Sequence, residues 1–182
     1  EIWLWVNRSE ENEKLDLGAI PVDRVIASSY NWGCFGRFTI GLMAETDFIC
    51  VFDDDTIPGP KWLENCLDSF AKKEGLYGSA GIIIEDPNDH SKQTRVGWPS
   101  QNRTLTKVDL VGHSWFFNRR YLPALWAEDP PVATNSEDLH FSHMLQKYLE
   151  VDTFCPPHPP DDKEMWGSTM YYLGAYGVGM SN

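Results

Sequence analysis

The sequence predicts an α/β domain in which a largely parallel sheet is sandwiched by helices. Three observations predict it. Strand-like and helix-like segments alternate along the chain. The segment Phe48–Phe52, FICVF, is a continuous apolar run of strand length, as a strand buried on both faces requires. A helix pattern with proline in its first turn follows that run within a few residues.

The elements follow in order. Residues 1–6, EIWLWV, read as a strand, and the polar stretch 7–18 as a surface loop or short helix. A short second strand covers 24–28. Residues 35–44 suit a helix with Phe35, Phe38 and Leu42 on one face. After the strand at 48–52, Gly59-Pro60 opens a helix, because a proline there lacks only an N–H that would have no partner. Its apolar residues are Trp62, Leu63, Cys66, Leu67 and Phe70. Another apolar strand spans 78–84, and the polar stretch 85–107, with Pro87, Gly97 and Pro99, reads as loops around a hairpin. Strand segments 108–111 and 115–117 flank the tripeptide GHS, and 134–149 is the clearest later helix. With no repeat and no internal linker, residues 1–182 form one domain. The glycine-rich end, 167–182, is expected to be mobile or to fold over the site.

Composition narrows the function. The 42% hydrophobic and 23% charged content is that of a globular protein, and no apolar run approaches the ~20 residues of a membrane span. A net charge of −12 argues against nucleic acid or an anionic membrane as partner. Cys34, Cys50, Cys66 and Cys155 form no C-x-x-C pair, so buried free thiols are expected rather than zinc or disulfides.

In so acidic a chain, the strand at 48–52 runs straight into Asp53-Asp54-Asp55. Alternation along an extended chain points Asp53 and Asp55 one way and Asp54 the other. Ligands bind at this end of the strands in open α/β sheets. Converging carboxylates repel unless one is protonated or a cation lies between them, and hard oxygen ligands suit Mg²⁺ or Mn²⁺. The plainer reading is a solvated turn whose aspartate caps the next helix. FDDDTI also resembles the D-x-D-x-T/V of haloacid-dehalogenase phosphatases, but Ile57 stands where that motif needs Thr or Val. The later Asp161-Asp162 pair follows CPPHPP rather than an apolar strand.

The wider stretch YNWGCFGRFTIGLMAETDFICVFDDDTIPGPKWLENCL resembles the nucleotide-sugar glycosyltransferases of the GT-A fold, especially the family 2-like group. In these an N-x-G element leads into a helix bearing an arginine, then a strand, the D-x-D and P-x-W-L. Asn31, Gly33, Arg37, Asp53, Asp55 and Trp62-Leu63 fall on those positions in that order. The R-F helix and D-D-D-T strand end also resemble the exostosin-like transferases. VGHSWFFNRRYL and SEDLHF supply two later landmarks, with Gly112 and with Glu137 and Asp138. The resemblance covers about residues 1–165 and implies a Rossmann-like GT-A fold. The strand and helix that usually open the family are absent, so an N-terminally truncated fragment is expected.

What the resemblance implies for the site is specific. Asp53, Asp55 and the late His158 would hold Mn²⁺ or Mg²⁺. Asn31, Arg37, Asp53 and Asp54 would meet the nucleotide, with Asn7 where the acidic turn usually carries a carboxylate. Asp138, next to Glu137, would be the general base. Trp98, Gly112 and Trp115 would line the acceptor side, where an indole face can pack on a sugar. Thr134 and Glu137 also match a capping box, a structural role compatible with catalysis. His140, His143, Arg103, Arg119 and Arg120 read as structural or surface residues.

The expected function is metal-dependent transfer of a sugar from a nucleoside-diphosphate donor, a uridine diphosphate sugar foremost, to a glycan or other hydroxyl acceptor. Family 2 likeness implies inversion at the sugar and exostosin likeness implies retention. A non-catalytic carbohydrate- or nucleotide-binding module is the competing class.

Overall fold

The computed structural model describes residues 1–169 apart from 90, 133 and 134. Two sheets form. β1 (Trp3–Val6) pairs in parallel with β2 (Arg24–Ala27). Six strands make the main sheet: β3 (Phe48–Phe52), β4 (Leu76–Ile84), β5 (Gln93–Gly97), β6 (Thr106–Val108), β7 (Leu110–Asn118) and β8 (Thr153–Cys155). Its order is β3-β7-β4-β8-β6, with β5 pairing β4. The helices are α1 (Gly36–Thr39), α2 (Trp62–Lys72) and α3 (Glu137–Leu149).

The α/β class and the layered arrangement match the sequence reading, but the main sheet is mixed rather than largely parallel. β4 and β8 pair in parallel, whereas β7 lies antiparallel between β3 and β4, and β5 and β6 are antiparallel to their neighbours. An apolar run reports burial on two faces and not the direction of its neighbours, so the pattern in 48–52 could not distinguish the two. β3 has the expected bounds, while the helix expected at 35–44 is one α turn flanked by 3₁₀ turns at Gly33–Phe35 and Ile40–Met43. β8, three residues long, gave no usable periodicity. The helix expected from 134 starts at Glu137, and the Thr134 half of its capping box lies outside the described residues, as does the end from 170 onward.

Successive residues of β7 feed opposite faces of the sheet. Trp115 and Phe117 enter a core with Phe38, Leu122, Leu125, Phe141 and Leu145, under α1, α3 and the 3₁₀ segment Arg119–Trp126. Phe116 enters a second core with Trp62, Cys66, Tyr77 and Phe154, under α2. In α2, Trp62 and Cys66 are buried but Leu63 and Leu67 are about half exposed, so its apolar stripe is narrower than the sequence suggested. All four cysteines are free, with Cys66 and Cys155 buried.

Two departures from regular pairing shape the end of the sheet that carries the aspartates. Gly78 pairs Trp115 and Ala80 pairs Gly112, so β7 carries one residue more than β4 across this interval. The result is a β-bulge, and His113 within it adopts a left-handed φ of 74°. At the end of β5, Gly97 has φ 77°, and a Cβ there would run into the Ser79 carbonyl and the Cys155 sulfur.

Phe38 is fully buried and packs edge-on against Trp115 and Phe141. Replacing it by alanine should cost about 3–5 kcal/mol in urea denaturation. A loss below about 1 kcal/mol would mean that α1 is not anchored through this ring.

Candidate functional site

The aspartates leave β3 in a tight turn, closed by the Thr56 N–H donating to the Asp53 carbonyl at 3.0 Å. Asp54 is exposed on the outside of this turn, while Asp53 and Asp55 are partly buried on the inside. The expected pairing therefore holds, but a turn produces it rather than extended alternation. The last β3–β7 pair is Phe52 with Ser114, which sets Asp53 beside the bulge in β7. His113 thereby joins the aspartates: one ligand atom from each of Asp53, Asp55 and His113 lies within 4.8 Å of the others. Thr56 ties the two segments together, its hydroxyl donating to the His113 carbonyl at 3.2 Å.

This donor set fits a divalent cation. Two carboxylates and one imidazole suit Mn²⁺ or Mg²⁺, and the imidazole is short of partners, its Nε2 buried without a hydrogen bond among the described residues. Burial lowers the His113 pKa, although the Asp55 charge opposes this, so the ring is neutral and able to ligate at physiological pH.

His158, the histidine expected to complete the metal site, is not brought to it. Its ring is buried between Trp62 and Trp166, with Nδ1 donating to the Pro156 carbonyl at 2.8 Å and Nε2 accepting from Gly167 N–H at 3.2 Å. Burial holds its pKa down to about 4. Both nitrogens are committed to holding the CPPHPP segment, so His158 is structural. His113 was missed because GHS read only as a break between two strand segments. The available signal was that break itself, a glycine and a histidine inside an otherwise apolar run, which is where a bulge re-aims a side chain.

Arg37 of α1 lies between the aspartates and the start of α3. Its Nη2 is 3.2 Å from Asp53 Oδ1 and 2.6 Å from Glu137 Oε1, and its guanidinium stacks over Trp115 at 4.7 Å. The three side chains are only 10–27% exposed, so this pair of contacts is little screened by solvent. Glu137 is thus engaged in an ion pair. Asp138 is differently placed: no salt bridge involves it among the described residues, and it faces Gly112, where an added Cβ would meet its Oδ2 at 3.5 Å.

The remaining expected residues divide. Asn7 acts as a clasp, its Oδ1 accepting from Trp5 Nε1 and Trp32 N–H, both at 3.0 Å, and its Nδ2 donating to the Gly33 carbonyl at 2.9 Å. Asn31 is exposed, its Oδ1 accepting from Gly33 N–H in a local turn. Trp115 is 1% exposed, with Nε1 donating to the Val111 carbonyl, so it packs the core and presents no face to an acceptor. Trp98 is partly buried and stacks on His113, ring centroids 4.0 Å apart at 7°. His140 is structural, with Nε2 on the Leu125 carbonyl at 3.0 Å.

Burial, reinforced by the charges of Glu137, Asp55 and Asp54 and opposed by Arg37, pushes the Asp53 pKa up to about 6 from 3.8. The folded carboxyl therefore holds its proton more tightly than the unfolded one. Its contribution to stability is fully present below 3.8 and is lost as the pH rises through 6. Metal-free protein should lose roughly 3 kcal/mol across this window relative to Asp53→Asn. Parallel stability–pH profiles for the two proteins would contradict this. Saturating Mn²⁺ should reverse the trend, because the cation binds the ionised form.

Against known families, the profile of glycosyl transferase family 2 matches residues 20–126, more than half of the chain. The match takes in Asn31, Arg37, all three aspartates, Trp98 and the Gly112-His113 bulge. Among curated proteins no match was found.

Proposed function

Because the chain belongs to glycosyl transferase family 2, we propose that it transfers a sugar from a nucleoside-diphosphate donor to a hydroxyl acceptor, with inversion at the anomeric carbon and Asp138 as the base. Membership decides against the phosphatase reading of FDDDTI. The observation that carries the proposal is the bulge in β7. Its successive residues Gly112 and His113 face Asp138 and the Asp53–Asp55 pair, which puts the candidate base and the candidate donor anchor side by side.

The residues divide the work as their surroundings dictate. Asp53, Asp55 and His113 would hold Mn²⁺ or Mg²⁺, which, when bound, neutralises the diphosphate as it leaves. This lets a chain of net charge −12 accept an anionic donor, a uridine diphosphate sugar being the form we favour. Asp54, exposed at the turn, and Asn31 are free to contact the nucleotide portion. Glu137 is a poor candidate for the base because its carboxylate is occupied by the Arg37 guanidinium at 2.6 Å. Asp138, free of such a pair, takes the proton of the acceptor hydroxyl as that oxygen attacks the anomeric carbon. The bond from this carbon to the diphosphate oxygen breaks on the opposite face, so one displacement inverts the configuration. Gly112 leaves room for the acceptor beside Asp138, since any side chain there would approach the carboxylate.

The test is turnover with a panel of nucleotide sugars and simple glycan acceptors, read as nucleoside diphosphate released and as the anomeric configuration of the product by NMR. Asp138→Asn should lower kcat by about 10²–10⁴-fold while donor affinity stays within about twofold. A variant retaining kcat within tenfold, or a product of retained configuration, would remove Asp138 from the role of base. Donor binding without release of nucleoside diphosphate with any acceptor would leave a binding module instead.

A further inference from the structure

We propose that Trp98 is a positioning residue of the metal centre: its indole, stacked on the His113 imidazole, fixes that ring in the orientation in which it meets Asp53 and Asp55. The inference rests on reading His113 as a ligand. It departs from the expectation that Trp98 serves the acceptor.

His113 needs such a device. Its backbone lies in a bulge with φ 74°, so the neighbouring strand does not dictate the direction of its side chain. No hydrogen bond to its ring nitrogens is made among the described residues, and Nε2 is buried without a partner. Metal-bound histidines are ordinarily held in register by a hydrogen bond from the second nitrogen, which also fixes the tautomer. Here the contact to the ring is the stack on Trp98, with centroids 4.0 Å apart and planes within 7° of parallel. A face-on contact fixes the plane of an imidazole while leaving the nitrogens at its edge to the ligand.

The fold goes to some length to make this contact. Trp98 directly follows β5 and His113 belongs to β7, with β4 between them, because Ala80 pairs both Gly97 and Gly112. Two strand spacings, about 10 Å, separate their backbones, within reach of an indole and an imidazole that lean together. The β4 residues in between are Gly78, Ser79, Ala80 and Gly81, so no large side chain obstructs the crossing. Gly97, in a conformation suited to glycine, turns the chain at this point, and the Trp98 N–H donates to the Ser79 carbonyl at 2.7 Å. Bulge, small residues and turn together permit this aromatic contact beside the carboxylates.

The test is Co²⁺ binding to the purified protein without donor, by titration calorimetry and by the visible spectrum of bound Co²⁺, which reports ligand number and geometry. Four variants are compared: His113→Ala, Trp98→Ala, Trp98→Phe and Trp98→Leu, each checked for folding by near-UV circular dichroism. Trp98→Ala should weaken Co²⁺ binding about 10- to 100-fold and shift the spectrum towards that of His113→Ala, and Trp98→Phe should restore most of both. Trp98→Leu keeps bulk without a flat face and should behave like the alanine variant, so the test survives if the alanine variant fails to fold. If Trp98→Ala or Trp98→Leu keeps the wild-type affinity and spectrum while His113→Ala loses them, Trp98 does not position the ligand, although His113 remains one. If His113→Ala also binds as wild type does, the ligand reading itself fails.

Discussion

The structure turns on one guanidinium. Four carboxylates, Asp53, Asp55, Glu137 and Asp138, are gathered near one end of the sheet from two segments far apart in sequence, and Arg37 answers two of them. Partly buried like charges of this kind repel one another without a partner. Arg37 therefore sets where α1, the end of β3 and the start of α3 stand relative to one another. Its backbone is placed by the next residue, Phe38, whose ring fills the core against Trp115, and the guanidinium lies over both the same indole and the Phe38 ring. Hydrophobic packing and charge pairing converge on Trp115, which is why a tryptophan beside the site is a core residue.

One arginine is not enough for the cluster, and what remains unbalanced defines the chemistry. Asp53 is already shared with Arg37 and carries a raised pKa, while Asp55 stands beside Asp53 and His113 and makes no salt bridge among the described residues. A site that gathers carboxylates and a ring nitrogen without a hydrogen bond among the described residues has the donor set to accommodate a cation supplied from outside. Glu137 and Asp138, adjacent in sequence, differ in surroundings through the same arginine, which pairs with the first, whereas the second makes no salt bridge among the described residues. Two carboxylates with different environments are how one fold obtains two functions from one residue type.

Much of this was legible in the sequence where a single segment carries the signal. The apolar run 48–52, the three aspartates after it, and the arginine-bearing helix turn before it are contiguous, and their order alone pointed to the family. What was not legible depends on pairing between distant segments. That Arg37 would meet Glu137, one hundred residues away, follows from the packing of α3 and not from any local pattern. His113 became a ligand candidate through a bulge whose extra residue is defined only against β4. His158 was expected as a ligand through the family resemblance, but two tryptophans close over it and both its nitrogens are spent on backbone. The direction of β7 was equally hidden, since a strand buried on both faces has the same composition in either orientation.

The most direct test of the account is a thermal-shift panel of nucleoside diphosphates, run with Mn²⁺ and again with EDTA. A ligand at ~100 times its dissociation constant adds about 2.7 kcal/mol, a shift of roughly 5–10 °C for a domain of this size. Such a shift is expected for one nucleotide, present with Mn²⁺ and abolished by EDTA or by Asp55→Asn. The same shift with and without metal, or in the Asp55→Asn protein, would contradict the claim that these aspartates hold the cation on which donor binding depends.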